Sequence, residues 1–127
     1  MYKSIIFDIG GVMVDFDPKA YLVDRLCSAE MEEKVYDLTF GSEEWKKLDA
    51  GLISRFEGNA TMLKNAQAAG CEFEVQGVLD DWTHILRPRH RMIELVRRLK
   101  NHGYCVYYLS NIPEDILELL TARGVLD

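Results

Sequence analysis

Short apolar runs and longer amphipathic stretches alternate along this chain. Continuous runs of branched and aromatic residues occupy positions 5–7 and 104–109, a pattern typical of parallel strands that are covered on both faces. Between them, apolar residues recur at steps of three and four over 88–102, which indicates an amphipathic helix that ends at Gly103. A last helix is expected over about 113–124. The C-terminal part is therefore predicted to fold as helix, strand and helix.

Capping signals divide the segment after the first strand into helices. Asp17 followed by Pro18 predicts one helix N-terminus, and Ser42 and Ser54 predict two more. Ser54 stands three residues before a glutamate, as in a capping box. Another helix is expected from about 73 to 86. This helical block is far longer than the dozen or so residues that a parallel crossover requires, so it is predicted to be an inserted cap.

The predicted fold class is α/β, with a partial Rossmann-like parallel sheet and an inserted helical cap. Residues 1–16 and 87–127 are expected to form the incomplete core, and residues 17–86 the cap. At 127 residues the chain has the length of one domain. A sheet of two strands has open edges that invite pairing with another chain. A homo-oligomer that covers the open sheet edge is therefore one expected assembly.

Composition excludes several kinds of partner. The net charge of -6 and the pI near 5.1 argue against binding to a nucleic-acid backbone. No apolar run approaches the roughly 20 residues that span a bilayer, and the N-terminus lacks the pattern of a signal peptide. A cytoplasmic protein that binds neither nucleic acid nor membrane is expected. The three cysteines are widely spaced, so they are expected to be reduced thiols, with Cys105 in the core.

Polar side chains follow both predicted strands. Asp8 ends the first strand, and Ser110 and Asn111 follow the second. Ligands of parallel sheets bind beyond the carboxyl ends of the strands, so these side chains converge if the strands are neighbours. A carboxylate can attack a phosphate ester as a covalent nucleophile, and a hydroxyl and an amide before a helix can hold phosphate oxygens. Mg²⁺ would offset the repulsion between carboxylate and phosphate, and Gly10 would let the backbone approach it.

Each of these features has an ordinary structural explanation when it is taken alone. An aspartate at the end of a strand often forms a turn or a cap. The sequence "SNIP" at 110–113 is a good helix N-terminus. The two features together, each directly after an apolar strand, favour phosphoryl transfer.

Four segments carry a resemblance to a known family. "IIFDIGGVMVD" and "VYYLSN" resemble the first and second signatures of the haloacid dehalogenase-like hydrolases. "DAGLISRFE" and "LRPRHRMIELVRRLKNHGYCVYYLSN" resemble segments of the branch that contains sugar-phosphate phosphatases and the N-terminal domain of soluble epoxide hydrolases. The resemblance implies a doubly wound parallel sheet with a helical cap. It also implies a magnesium-dependent phosphatase that acts on a small phosphate ester through an aspartyl phosphate.

The resemblance also implies roles for individual residues. Asp8 would be the nucleophile and a metal ligand, and the backbone carbonyl of Gly10 would be a second metal ligand. Ser110 and Asn111 would contact the phosphate of a small phosphorylated substrate. The loop 10–17 would be a flap over the site.

Two departures from the family pattern stand out. Gly10 occupies the position where the commonest pattern has an aspartate as general acid, so the proton must come from water or from a cap residue. The family's third signature, a lysine, and its fourth, an acidic pair, are expected beyond residue 127, and without them catalysis would fall by about a thousandfold or more. Two alternatives stay open: a metal-independent dehalogenase that uses Asp8, and a non-catalytic binding or assembly module.

Overall fold

A computed structural model describes residues 3–126 as a mixed α/β structure that is mostly helical. Its strands are β1 (Ser4–Phe7), β2 (Val14–Asp15), β3 (Arg87–Pro88) and β4 (Cys105–Tyr108). Its α-helices are α1 (Pro18–Arg25), α2 (Ala29–Leu38), α3 (Glu43–Asp49), α4 (Arg55–Ala69), α5 (Glu72–Asp81), α6 (His90–Asn101) and α7 (Glu114–Ala122). The outer limits of the predicted core, residues 1 and 127, lie outside the described residues. Among 3–126, no helix combines the length and the apolar character that a membrane crossing requires.

The two predicted strands are neighbours. β1 and β4 pair in parallel, with a register that runs from Ser4 opposite Cys105 to Phe7 opposite Tyr108. Beyond the last pair, the Leu109 amide donates a hydrogen bond to the Phe7 carbonyl at 2.9 Å. The carboxyl ends of β1 and β4 therefore meet at one edge, which is the condition that the expected convergence of the polar residues required.

The expectation that this sheet is covered on both faces is wrong for the described residues. Ile6 and Tyr107 lie opposite each other and are 66% and 56% exposed. Cys105, expected in the core, is exposed on the same face. Alternate residues such as Phe7 and Val106 pack against the core instead. Successive side chains of a strand point to opposite faces of the sheet. Only one face of the β1–β4 pair is packed against the core. The apolar composition of a strand does not show how many of its faces are covered.

A second small pairing, which the sequence did not predict, joins the two ends of the helical segment. β2 and β3 are antiparallel, with Asp15 opposite Arg87. Arg89 donates to the Asp15 carboxylate at 2.8 Å, and its amide donates to the Met13 carbonyl at 2.9 Å. The chain thus enters and leaves residues 17–86 at adjacent points.

Three of the predicted helix starts are confirmed by their capping bonds. The start predicted at 88 is wrong, because Arg87–Pro88 form β3 and α6 begins at His90. The side chains of Asp17, Ser42 and Ser54 accept hydrogen bonds from first-turn amides at 3.1 to 3.2 Å. The capping box at Ser54 is formed on one side only, because the Glu57 carboxylate accepts from the serine hydroxyl at 3.2 Å and not from its backbone amide. Ser28 caps α2, a helix that the pattern did not separate from its neighbours. Local signals therefore predicted where α1, α3 and α4 begin.

Much of the core lies among the helices of residues 17–86. An aromatic cluster joins Phe40, Trp45 and Trp82, with ring centroids 4.7 Å apart for Phe40–Trp45 and for Trp45–Trp82. Met62 of α4 and Val75 of α5 are fully buried in the same hydrophobic core. The two tryptophans matter for function because they also face the cavity described next.

Candidate functional site

A cavity of about 200 Å³ lies at the carboxyl ends of β1 and β4. The sequence predicted that Asp8, Ser110 and Asn111 converge. Ser110 and Asn111 line this strand-end cavity and Gly10 lines it with them, but Asp8 does not. A Cβ atom at Gly10 would meet no other atom within 4 Å, so the space above this residue is open. The β1–β4 pairing brings these three residues together from distant parts of the chain.

The rest of the cavity wall is mainly apolar and comes from both sides of the molecule. Phe16, Trp45 and Trp82 supply aromatic surface, and Ile112 and Ile116 supply aliphatic surface. Ligand sites of this kind, apolar with a few convergent polar groups, hold the carbon skeleton of a ligand by packing and orient it through the polar groups.

Asp8 lies next to the cavity along the chain but does not line it. Its side chain is exposed, and Oδ1 accepts a hydrogen bond from the Ile9 amide at 2.8 Å. A turn follows, in which Gly11 adopts a φ of 78° and its amide donates to the Val14 carbonyl at 2.8 Å. A residue with a side chain is strained at this φ, so the turn that places Asp8 beside Gly10 favours glycine at position 11.

Ser110 and Asn111 lie in the segment between β4 and α7. Ser110 is half-buried and Asn111 is exposed. The helix begins at Glu114, and Glu114 and Asp115 both lie in its first turn. These two carboxylates offset the positive end of the helix dipole. Attraction for a phosphate would therefore depend more on the Ser110 and Asn111 side chains than on the helix.

Asp49, the last residue of α3, is a polar group of the cavity that the sequence did not single out. Partial burial raises the pKa of its carboxyl, and the nearby positive charge of Arg55 offsets this only in part. Its position just before Gly51, a glycine with a φ of 72°, was visible in "DAGLISRFE". The signal that could have identified it was a carboxylate at the C-terminal end of the helix that Ser42 caps.

Arg55 connects the helical segment to α7, the helix that follows Ser110 and Asn111. Its guanidinium donates to both oxygens of Asp115 at 2.8 and 3.3 Å. It lies 5.8 and 5.6 Å from the ring centroids of Trp45 and Trp82. One nitrogen, Nη1, is buried without a hydrogen-bond partner. The pair therefore ties the first turn of α4 to the first turn of α7 behind the aromatic wall of the cavity.

We expect the Arg55–Asp115 pair to contribute more to stability than an ordinary surface ion pair. A double-mutant cycle with Arg55→Met and Asp115→Asn should give a coupling free energy of about 1 kcal/mol, because the contact is bidentate and partly desolvated. The same cycle on Lys46–Glu43, whose side chains are 69% and 75% exposed, should give about 0.3 kcal/mol. Urea unfolding measures both. Equal couplings in the two cycles would contradict this prediction.

The oxygen atoms at the strand ends are of the type that Mg²⁺ prefers as ligands, but they are too few to complete a metal site. Asp8 offers a carboxylate and Gly10 a carbonyl, both suited to a hard cation. Among residues 3–126, no group of three or more His, Cys, Asp or Glu side chains is placed to hold a metal ion. The described donors therefore fit one side of a magnesium site and do not complete it.

One known protein resembles this chain over most of its length. The chain is 31% identical over 112 residues to the sesquiterpene phosphatase astK of Aspergillus oryzae. It is a distant homologue of that phosphatase. The match covers 88% of this chain but 53% of the relative, so the chain spans about half the length of the curated relative it matches. No protein-family model matches the chain, and no solved structure matches it significantly.

Proposed function

We propose that the chain carries the nucleophile and the phosphate-binding residues of a phosphatase of the haloacid dehalogenase-like type. The observation that carries the proposal is the strand-end cavity, where Gly10, Ser110 and Asn111 meet beside Asp8. The distant homology to a phosphatase supports the same reaction class. In this proposal residues 1–16 and 87–127 are the core of a partial Rossmann-like fold, and residues 17–86 are the cap.

The proposed reaction proceeds through a covalent intermediate on Asp8. An Asp8 carboxylate oxygen attacks the phosphorus of a monoester, the bond to the leaving-group oxygen breaks, and an aspartyl phosphate forms. Water then releases inorganic phosphate. The Ser110 hydroxyl and the Asn111 amide hold the phosphate oxygens during both steps. Asp8 and the Gly10 carbonyl would be the protein's ligands for Mg²⁺, which when bound would neutralise negative charge on the phosphate.

The proposed substrate is a monoester of an apolar organic group. The cavity wall beside Ser110 and Asn111 is built from Phe16, Trp45, Trp82 and aliphatic side chains. Such a wall binds a hydrocarbon more favourably than a sugar, because each buried methylene contributes about 0.8 kcal/mol. The relative's name, a sesquiterpene phosphatase, points to the same substrate class.

We expect the purified protein to hydrolyse octyl phosphate with magnesium-dependent release of inorganic phosphate. Its kcat/KM should exceed that for a hexose phosphate by about tenfold or more, since the difference in apolar contact is worth over 1 kcal/mol. A colorimetric phosphate assay with and without EDTA measures this. Preference for the hexose phosphate would contradict the substrate class, and failure to hydrolyse any monoester would contradict the enzyme assignment.

A second candidate function rests on the open face of the sheet. Ile6, Tyr107 and Leu109 are 66%, 56% and 73% exposed, and contiguous apolar surface of this kind marks interaction sites. A non-catalytic assembly module would self-associate in sedimentation experiments and hydrolyse no phosphate ester.

The dehalogenase alternative would instead release halide from a haloacid without Mg²⁺.

A further inference from the structure

The turn after β1 leaves the proposed reaction without an acid for the leaving group. Gly10 has no side chain, and the Asp8 carboxylate is committed to attack on phosphorus. Of the residues that line the strand-end cavity, Asp49 is the one with a carboxyl group. It reaches the cavity from α3, in the helical segment. The cavity is therefore lined both by the turn that follows Asp8 and by a carboxyl group of the helical segment.

We propose that Asp49 is the general acid and base of this site, supplied by the helical segment in place of the missing group at position 10. The inference rests on the proposed phosphatase function and adds a catalytic residue to it. In the first step the P–O bond breaks, its electron pair goes to the leaving-group oxygen, and Asp49 transfers its proton to that oxygen. The products are an alcohol, the aspartyl phosphate and an Asp49 carboxylate.

The second step restores both carboxyl groups. Asp49 accepts a proton from water as the water oxygen attacks phosphorus. The bond between Asp8 and phosphorus breaks, its electron pair returns to the Asp8 carboxylate, and inorganic phosphate leaves. Asp49 then carries a proton again, so the cycle is balanced without any further reactant.

The surroundings of Asp49 suit this role. Desolvation beside Trp45 and Trp82 favours the protonated carboxyl, so burial raises its pKa, while Arg55 opposes this less strongly. A bound phosphate would add negative charge nearby and raise the pKa further. Asp49 is also the last residue of its helix, where the negative end of the helix dipole disfavours a carboxylate.

The test separates proton donation from other roles through the leaving group. An alkoxide leaves only if it is protonated, whereas para-nitrophenolate leaves without help. Asp49→Asn should lower kcat/KM for octyl phosphate by about a hundredfold or more and change kcat/KM for para-nitrophenyl phosphate by less than about tenfold. Asp49→Glu, which keeps the carboxyl group, should recover part of the octyl phosphate activity. Glu43→Gln, at the exposed start of the same helix, should match the wild type with both esters.

Stability measurements show whether the variant remains folded. A raised pKa in the folded state means that the native protein binds more protons than the unfolded chain, so stability falls as pH rises above the ordinary aspartate pKa of 3.8. Asp49→Asn removes this pH-dependent loss of stability, because asparagine does not titrate. In urea unfolding the variant should gain stability relative to the wild type between acidic and neutral pH, so its loss of activity would not reflect unfolding.

Each kinetic outcome decides the question. Loss confined to octyl phosphate supports Asp49 as the acid. Equal loss with both esters, or no loss with either, overturns the inference while the phosphatase assignment stands. If the wild type hydrolyses neither ester, the proposed function fails, and the inference fails with it.

Discussion

Replacing Asp8 with asparagine lowers kcat for phosphate-ester hydrolysis by about a thousandfold or more, which is the largest effect expected of any single substitution in this chain. The reason is chemical: an amide oxygen cannot form and then release an acyl phosphate. Asparagine has nearly the same shape as aspartate, and it can still accept the hydrogen bond that the Ile9 amide donates at 2.8 Å. The free energy of unfolding should therefore change by less than about 0.5 kcal/mol.

Two measurements test the role of Asp8. Steady-state assays give the loss of kcat, and acid-quenched reactions with labelled substrate show whether phosphate becomes covalently attached to the protein. The label should appear on the wild type, be released by hydroxylamine, and be absent from Asp8→Asn. Asp37→Asn, a matched change of an exposed aspartate in α2, should keep wild-type activity and labelling. Undiminished turnover by Asp8→Asn would place the nucleophile elsewhere.

Replacing Met62 with alanine should destabilise the protein by about 2 to 5 kcal/mol. Met62 is fully buried in α4, among side chains of the hydrophobic core. Truncation removes its apolar contacts and leaves a cavity that the surrounding helices fill only in part. Methionine and alanine are both good helix formers, so the loss reports packing and not helix propensity. Because domains are stable by only about 5 to 15 kcal/mol, this is a large fraction of the total.

Thermal and urea unfolding measure the effect at Met62. The midpoint temperature should fall by roughly ten degrees or more. Phe56→Ala is the matched control, since Phe56 lies on the same helix but is 83% exposed, and it should cost less than about 0.5 kcal/mol. If Met62→Ala is no more damaging than Phe56→Ala, then α4 is not packed as the structure describes.

The starts of α1, α3 and α4 and the positions of β1 and β4 followed from the sequence, because their signals are local. The N-caps at Asp17, Ser42 and Ser54 each involve a hydrogen bond that spans three residues, so a short stretch of sequence contains both partners. The same holds for the polar residues at the strand ends. Asp8 and Ser110 are recognisable because each follows a short apolar run, and the convergence of the strand ends required only that the two strands be neighbours.

Tertiary structure decided which groups share a site and which surfaces stay open. Asp49 reaches the strand-end cavity, and Arg55 pairs with Asp115, through contacts between segments that lie about 60 residues apart. No local pattern specifies such contacts, because they depend on how the helices pack over the strands. Tertiary packing also explains the exposed face at Ile6 and Tyr107. The apolar sequence of a strand makes its burial favourable, but the number of covered faces depends on which elements pack against it.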